Sequence, residues 1–250
     1  MLTKKYMSPI KGLSFIFLIL VWELLSYFSN PTTFPSLFSI VRTLLDEVLD
    51  GEIIFHLGMT LYRVFFSFVI AMILGTCIGM LMGNYKKFDS FFDSWNILFL
   101  NIPALVLIIL SYIWFGLTEV AAIIAVSLNK IPNVIVTIRE GAKSIDRSLL
   151  QVAYIYKVSK IKKFFVFYVP QLFPYIIAAA RGGIALIWKI VLVVELLGRS
   201  NGVGFKIHEF FQFFDIKSIL AYTLAFVIVM LGLELICFKP LDSYFRRWRT

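Results

Sequence analysis

The stretch REGAKSIDRSLLQVAYIYKVSKIKKFFVFYVPQLFP, which runs from Arg139 to Pro174, is a long basic segment between apolar runs, and it predicts how the rest of the chain is arranged. Apolar residues at helical spacing predict two short amphipathic helices in it, one carrying Leu149, Val152, Ala153 and Tyr156 and the other carrying Val158, Ile161 and Phe165. Asp146 is placed to cap the first helix. Pro170 is expected to end the second, because proline has no N–H and clashes with the preceding turn.

The charge of this segment predicts a binding partner. Lys157, Lys160, Lys162 and Lys163 lie between and behind the apolar residues, so the helix pair has one apolar stripe and one basic face. Such a pair can lie on the anionic inner leaflet of a membrane. It can equally dock a soluble subunit, and the pattern alone leaves both interpretations open.

The composition is that of a membrane protein that crosses the bilayer several times. Of the 250 residues, 60% are hydrophobic, and the mean hydropathy of +0.88 is too high for a water-soluble globule. The net charge of +9 comes from basic residues at the ends of apolar runs, which is the positive-inside arrangement. We therefore expect a lipid bilayer around the chain and no nucleic acid partner. Cys77 and Cys237 lie in apolar runs and predict no disulfide.

The apolar runs predict an all-α protein with about six transmembrane helices, forming a single domain over residues 1–250. The predicted spans cover about 13–28, 57–82, 95–115, 120–138, 174–198 and 216–238. Asn101 and Pro103 interrupt the third span, and Pro132 lies within the fourth. Pro174 is expected to open the fifth span at a first-turn position. Charge counting places both termini and the loop 139–170 in the cytoplasm.

Two smaller features accompany these spans. Ser36 is placed to cap an amphipathic helix outside the membrane, after the first span. Gly75, Gly79 and Gly83 recur every fourth residue in the second span. Such a stripe is typical of close helix packing and less often lines a pore.

The sequence carries no catalytic motif. It lacks a G-x-x-x-x-G-K-[ST] phosphate loop, so we expect no ATP site on this chain. His208 and Glu209 are followed by Gln212, which cannot replace the second histidine of a zinc-binding H-E-x-x-H motif. We therefore expect no catalytic residue, no metal and no cofactor on this chain.

Charged residues inside the spans predict a solute pathway. A lysine near the bilayer centre costs about 2.5 to 3.5 kcal/mol, so Lys130 and Lys189 should face a polar interior or reach the surface. Trp188 and Glu195 share a helical face in the same span as Lys189. The two lysines favour an anionic solute. The alternative is that Lys130 snorkels inward and Glu195 is solvated near the outer surface.

Short motifs in a fixed order carry a family resemblance: Phe34-Pro35-Ser36, His56-Leu57 through Arg63, Ile102-Pro103-Ala104-Leu105, Trp114-Phe115-Gly116-Leu117, Ser144-Ile145-Asp146, Pro170, Pro174-Tyr175-Ile176, Arg181, Trp188, Glu195 with Leu197-Gly198, and Gly202-Val203-Gly204. With these motifs the chain resembles, almost end to end, the transmembrane permease of bacterial ABC importers that depend on a binding protein. Within that group it is most similar to the nitrate, sulfonate and taurine branch.

One part of the resemblance is imperfect. The family's cytoplasmic signature, Glu-Ala-Ala, three residues, then Gly, falls between Leu149 and Lys157. Gln151 and Val152 replace the Glu and the first Ala, Ala153 keeps the second Ala, and Lys157 replaces the Gly. Lysine fits there only if the turn needs no positive φ.

The resemblance implies the type I ABC importer permease fold in a bacterial inner (cytoplasmic) membrane. It also implies a homodimer of permeases, two ATP-binding subunits that hold ATP and Mg, and an extracytoplasmic solute-binding protein. The implied function is ATP-driven import of a small solute, expected to be an anion of the nitrate, sulfonate and taurine class. The residues expected to couple to the ATPase are Asp146, Gln151, Ala153, Tyr156 and Lys157, and those expected on the substrate path are Lys130, Trp188, Lys189 and Glu195.

Two other functions compete with this one. A self-sufficient channel or secondary transporter is expected to show two repeated halves with broken helices at matching positions, and this sequence shows no such repetition. A membrane scaffold that only recruits a soluble partner needs no charges inside its spans.

Overall fold

The computed structural model describes residues 9–49, 51–233 and 235–236. Lys4, Lys5 and the basic residues from Lys239 onward, on which the expectation of cytoplasmic termini rests, lie outside these ranges. Across the described residues the secondary structure is helical, without strands. The helices are α1 Pro9–Phe28, α2 Leu37–Leu49, α3 Ile53–Asn84, α4 Lys86–Asn101, α5 Ala104–Phe115, α6 Glu119–Lys143, α7 Arg147–Ile155, α8 Lys160–Lys162, a π-helix Lys163–Tyr168, α9 Val169–Gly198, α10 Val203–Gln212 and α11 Ile216–Leu233.

Four helical segments in the described part of the chain are long and apolar enough to cross a membrane: α3, α6, the continuous run from α8 to α9, and α11. Helices α4 and α5 meet at Pro103 with a bend of 95° and together form a fifth candidate. This break confirms the interruption predicted at Asn101 and Pro103. The apolar part of α1, Gly12–Phe28, is shorter than the others, so the count of six stays a prediction.

The glycine stripe of α3 packs against α6, as its spacing predicts. A Cβ atom added to Gly75 would lie 2.6 Å from the Cβ of Val134, and one added to Gly79 would lie 2.8 Å from the Cβ of Ile138. At Gly83 the added atom would lie 2.3 Å from the Cβ of Ala142. Because these separations leave no room for a side chain, the stripe is a packing surface and not a pore lining.

The loops group at two ends of the helix bundle. The turn from α3 to α4 lies beside the π-helix, since Asn84 donates a hydrogen bond to the hydroxyl of Tyr168. The segment that contains α7 is therefore at the same end as Lys86 and Lys87. At the opposite end, the start of α3 meets the turn between α9 and α10 through the 2.9 Å bond from the Gly202 N–H to His56 Nδ1.

Two predicted helix boundaries are wrong. Pro170 does not end a helix and Pro174 does not open one, because the chain is helical without a break from Lys160 to Gly198. The π-helix accounts for this: its wider turn bonds each N–H to the fifth carbonyl before it, as Val169 does with Phe164. Pro170 follows directly as one of the first residues of α9, where a missing N–H is tolerated.

Candidate coupling hairpin and solute pathway

Helix α7 begins where the sequence predicts. Asp146 is its N-cap, with a carboxylate oxygen that accepts from the N–H of Ser148 at 2.8 Å and from its hydroxyl at 2.6 Å. These bonds hold the pKa of Asp146 below its usual range. The cap is therefore ionised at neutral pH, and its contribution is lost only as the pH falls through that lowered pKa. The backbone N–H of Asp146 also donates to the side chain of Gln171 in α9, at 2.9 Å.

The turn after α7 has a positive φ at Lys157, a backbone conformation that is usual for glycine and uncommon for lysine. Lys157 has a φ of +50°, its N–H bonds to the carbonyl of Tyr154 at 3.0 Å, and the N–H of Val158 bonds to the carbonyl of Ala153 at 3.0 Å. This pair of bonds is the Schellman motif. The turn therefore does need a positive φ, and Lys157 adopts it against its steric preference. Lys157 therefore occupies a left-handed turn position that glycine adopts more readily.

The second helix of the hairpin differs from the prediction. Ser159 caps it by accepting from the N–H of Lys162, but the α-helical part ends after three residues and becomes the π-helix. Val158, Ile161 and Phe165 therefore do not form the stripe of a separate amphipathic helix. The hairpin consists of α7, the Lys157 turn and the first turns of the long α8 to α9 helix.

The predicted coupling residues divide by exposure. Asp146, Gln151, Tyr156 and Lys157 are exposed, and Tyr156 is 78% accessible. Ala153 is fully buried where α7 packs on the π-helix, so it shapes the hairpin and offers no contact to a partner. Tyr154 and Ile155 add to the exposed apolar surface, at 79% and 73%. The exposed tip of the hairpin is thus more aromatic than the sequence pattern predicts.

The four predicted pathway residues do not share one surface. Lys130 is buried, and its side chain lies over Gly183, where an added Cβ would be 2.7 Å from the lysine Cε. The snorkelling interpretation of Lys130 is therefore wrong. Trp188 is buried in the core of the bundle, where its ring packs edge-on against Phe226. Only Lys189 is exposed.

Lys189 belongs to an exposed face of α9 that is made of small residues. Ala178, Gly182 and Ala185 precede it on that face at helical spacing, and all are exposed. A face of this kind allows the backbone of another helix to come close. A charged residue in the same face requires a polar surrounding nearby.

Glu195 is buried in a polar cluster, so the interpretation that it is solvated near the surface is wrong. Its side chain is 0% exposed and accepts from Arg63 Nη1 at 2.6 Å. The other carboxylate oxygen accepts from the hydroxyl of Thr60 at 2.9 Å and from the N–H of Gly204 at 2.8 Å. Glu195 thus joins α3, α9 and the start of α10.

Arg63 is the centre of this cluster, and sequence reasoning missed its role. All five of its N–H donors are used. Nε and Nη2 form a fork on the carboxylate of Glu119, at 2.8 and 2.7 Å. Nη1 bonds to Glu195 and to the carbonyl of Asn201, and Nη2 also bonds to the side chain of Asn201. A second arginine, Arg199, pairs with Glu119.

Two glycines make room for the cluster. Gly202 has a φ of +107°, and a Cβ on it would lie 2.3 Å from the Glu195 Cδ. A Cβ on Gly204 would lie 2.2 Å from the carbonyl oxygen of Leu192. Gly202-Val203-Gly204 is therefore the turn that lets the start of α10 close over Glu195.

One signal in the sequence could have identified the cluster. Arg63 lies within an apolar run, and a charge in such a run requires a partner. The partners, Glu119 and Glu195, follow 56 and 132 residues later. The spacing alone does not select them from the other carboxylates.

Comparisons with known proteins agree with this architecture. Residues 71–238 match the family described as the inner membrane component of binding-protein-dependent transport systems. The aliphatic sulfonates transport permease protein SsuC of Bacillus subtilis is 27% identical over 85% of this chain and 78% of its own length. The taurine transport system permease protein TauC of Escherichia coli is 25% identical over 75% of this chain and 68% of its own. The bicarbonate transport system permease protein CmpB of Synechococcus elongatus is 26% identical over 78% and 74%.

The matched region begins inside α3 and extends past the end of α11, so it includes the glycine stripe, the coupling hairpin and the Lys189 face. The all-helical membrane fold and the inner-membrane location agree with the sequence-based predictions. The family's role in transport agrees with the prediction that this chain is a transport subunit. The chain belongs to the family of inner membrane components of binding-protein-dependent transport systems, and it is a transmembrane permease subunit of an ABC importer.

Proposed function

We propose that this permease imports a small anion of the nitrate, sulfonate and taurine class. The relatives named above are permeases for sulfonates, taurine and bicarbonate, and all of these solutes carry an anionic group. The observation that carries the proposal is Lys189, an exposed cation in the middle of an apolar helix. Exposure of a lysine to lipid costs about 2.5 to 3.5 kcal/mol at the bilayer centre, so its face is best explained as part of a polar passage.

In this proposal two copies of the chain form a homodimer, with the Lys189 faces of both copies on the solute path. Lys130, Trp188 and Glu195 lie behind this face. In the described conformation they support the path from within the bundle and do not line it. The passage then presents one lysine from each copy to an anionic solute.

Two ATP-binding subunits, which hold ATP and Mg, complete the transporter in this proposal, and this chain binds no cofactor. Each subunit receives one coupling hairpin, with contacts from Asp146, Gln151, Tyr156 and Lys157. Ala153 contributes by fixing the shape of the hairpin. ATP binding shifts the pair between inward-open and outward-open states only if hairpin docking differs in free energy between them.

The opposite end of the bundle is proposed to receive the solute-loaded binding protein. Helix α2 and the segment from Gly202 to Phe214 are the candidate surfaces. Phe211, Phe213 and Phe214 are 60%, 76% and 79% exposed there, so an apolar contact is available. We also propose that residues 1–250 form one permease domain with its coupling loop at 139–170.

Uptake by proteoliposomes tests the function. The permease is reconstituted with its ATPase and binding protein, and uptake of labelled sulfonate, bicarbonate and an uncharged sugar is measured with wild type, Lys189→Arg and Lys189→Met. We expect ATP-dependent uptake of an anion, retained by the arginine variant and reduced at least about tenfold by the methionine variant. Uptake at the same rate without the ATPase would instead support the channel or secondary transporter.

A further inference from the structure

A cavity of about 260 Å³ lies between α3, α4 and α6, and its lining residues come from these three helices. Part of its lining consists of four aromatic rings of α4, those of Phe88, Phe92, Trp95 and Phe99. Trp95 is also 56% exposed, so the wall of the cavity reaches the apolar outer surface of the bundle. A molecule dissolved in the bilayer can therefore reach the cavity from the side.

A buried amide oxygen in this wall has no hydrogen-bond donor. Asn96 is 6% exposed and lines the cavity, and its Oδ1 finds no partner in the described part of the chain. Its neighbours in the wall are almost entirely hydrocarbon. A buried acceptor without a donor is costly, so this oxygen is a place where a bound molecule gains by donating a hydrogen bond.

Asn96 Oδ1 is therefore the acceptor that this cavity offers to a ligand. The lining combines aromatic rings with this one buried oxygen, so the ligand must bring the donor.

The size of the cavity limits the ligand. A dry cavity of about 150 Å³ lined by Leu, Ile and Phe is large enough to bind benzene. The larger volume here admits an aromatic ring with a short apolar substituent, and the aromatic walls offer edge-to-face contacts to that ring. We propose that this cavity is a binding site for a small aromatic amphiphile with one hydroxyl or ring N–H donor, of the phenol or indole class, which donates to Asn96 Oδ1.

Two ligands that differ in their donor test the site. The full-length permease in nanodiscs is titrated with tritiated 4-propylphenol and, separately, with tritiated propylbenzene. The signal from empty nanodiscs is subtracted. Specific binding is the part of the remaining signal that excess unlabelled ligand displaces. Each dissociation constant is corrected for partition of the ligand into those empty nanodiscs. We expect saturable binding at one site per permease, with the phenol bound about tenfold tighter than the hydrocarbon.

Two variants assign the preference to this cavity. Asn96→Leu removes the acceptor at nearly constant volume, and we expect the ratio of the two dissociation constants to fall to about one. Ile78→Phe narrows the cavity from α3, and we expect it to abolish displaceable binding of both ligands. Thermal unfolding of each variant in the same nanodiscs verifies that it is folded.

Two results overturn the proposal. The first is that the wild-type permease shows no displaceable binding of the phenol, a result that is informative without any variant. The other is a phenol preference of the same size in wild type and Asn96→Leu, which would show that the acceptor of the phenol's hydrogen bond is not Asn96. A cavity filled only by water gives the first result.

Discussion

Lys157 holds a left-handed backbone conformation that costs about 1 to 2 kcal/mol for a residue with a Cβ atom. We therefore expect Lys157→Gly to stabilise the Schellman turn and slow amide hydrogen exchange at the end of α7. Lys157→Asn removes the lysine charge, as Lys157→Gly does, and asparagine adopts a positive φ more readily than lysine. Lys157→Val also removes the charge but adds strain, because a β-branched residue adopts a positive φ least readily. The order of protection should be Gly, then Asn, then Lys, then Val. Equal protection in the Gly and Val variants would show that the turn is not strained.

Arg63 is expected to dominate the stability of the end opposite the hairpin. Arg63→Met leaves the buried carboxylate of Glu195 without its cation, which costs about 3 to 5 kcal/mol. The double variant Arg63→Met with Glu195→Leu should recover part of this loss, since no unpaired charge remains at Glu195. Thermal unfolding of the purified permease in nanodiscs measures both.

The control for Arg63 is Arg42→Met, because Arg42 is an exposed arginine of α2. An exposed substitution should change stability by less than about 0.5 kcal/mol. If Arg63→Met were as mild as this control, the cluster would not hold that end of the bundle together.

The glycine stripe allows a sharp test at the scale of the helices. Gly83→Ala places a Cβ atom 2.3 Å from the Cβ of Ala142, so α3 and α6 must separate, and we expect a loss of about 1 to 3 kcal/mol. Gly58→Ala in the same helix meets no atom within 4 Å. It should be neutral or stabilise α3 by up to about 1 kcal/mol. Thermal unfolding of both variants under one condition is the measurement, and equal losses would contradict the packing role.

The helices were predictable from sequence where one short-range rule decides them. The apolar runs locate α3, α6 and α11, and Asp146 and Ser36 mark helix starts by their capping oxygens. The helix end predicted at Pro170 was wrong, because a proline predicts a helix end only in a regular α-helix. The π-helix before Pro170 changes the hydrogen-bonding pattern. Single sequences carry no comparable signal for a π-helix.

The assembly of the site was less predictable than its parts, because long-range pairing decides it. Lys189 was predicted on the path as a charge inside a span, but the burial of Trp188 and Ala153 depends on which helices pack beside them. Glu195 was predicted on the pathway for being a charge in a span. It instead belongs to a structural cluster, since Arg63 supplies a cation that local spacing does not reveal.

Coupling between the hairpin and the ATP-binding subunit, as proposed above, is a property of the whole transporter. The hairpin tip presents Tyr156 with 78% of its surface accessible, so a partner groove that covers it must desolvate the ring. Tyr156→Asp places a charge in that contact, and burial of an unpaired charge is strongly unfavourable. We expect the variant to lose at least about 90% of ATP-dependent uptake and to co-purify poorly with the ATPase.

Tyr85→Asp is the matched control for Tyr156→Asp. Tyr85 lies in the turn between α3 and α4 at the same end of the bundle, and it is 62% exposed but outside the hairpin. This variant should keep complex formation and uptake, because the change is equal in charge and size and differs only in position. Co-purification and uptake are measured in parallel for the two variants. Normal uptake by Tyr156→Asp, or equal losses of uptake in the two variants, would show that the ATPase does not bind the tip of the hairpin.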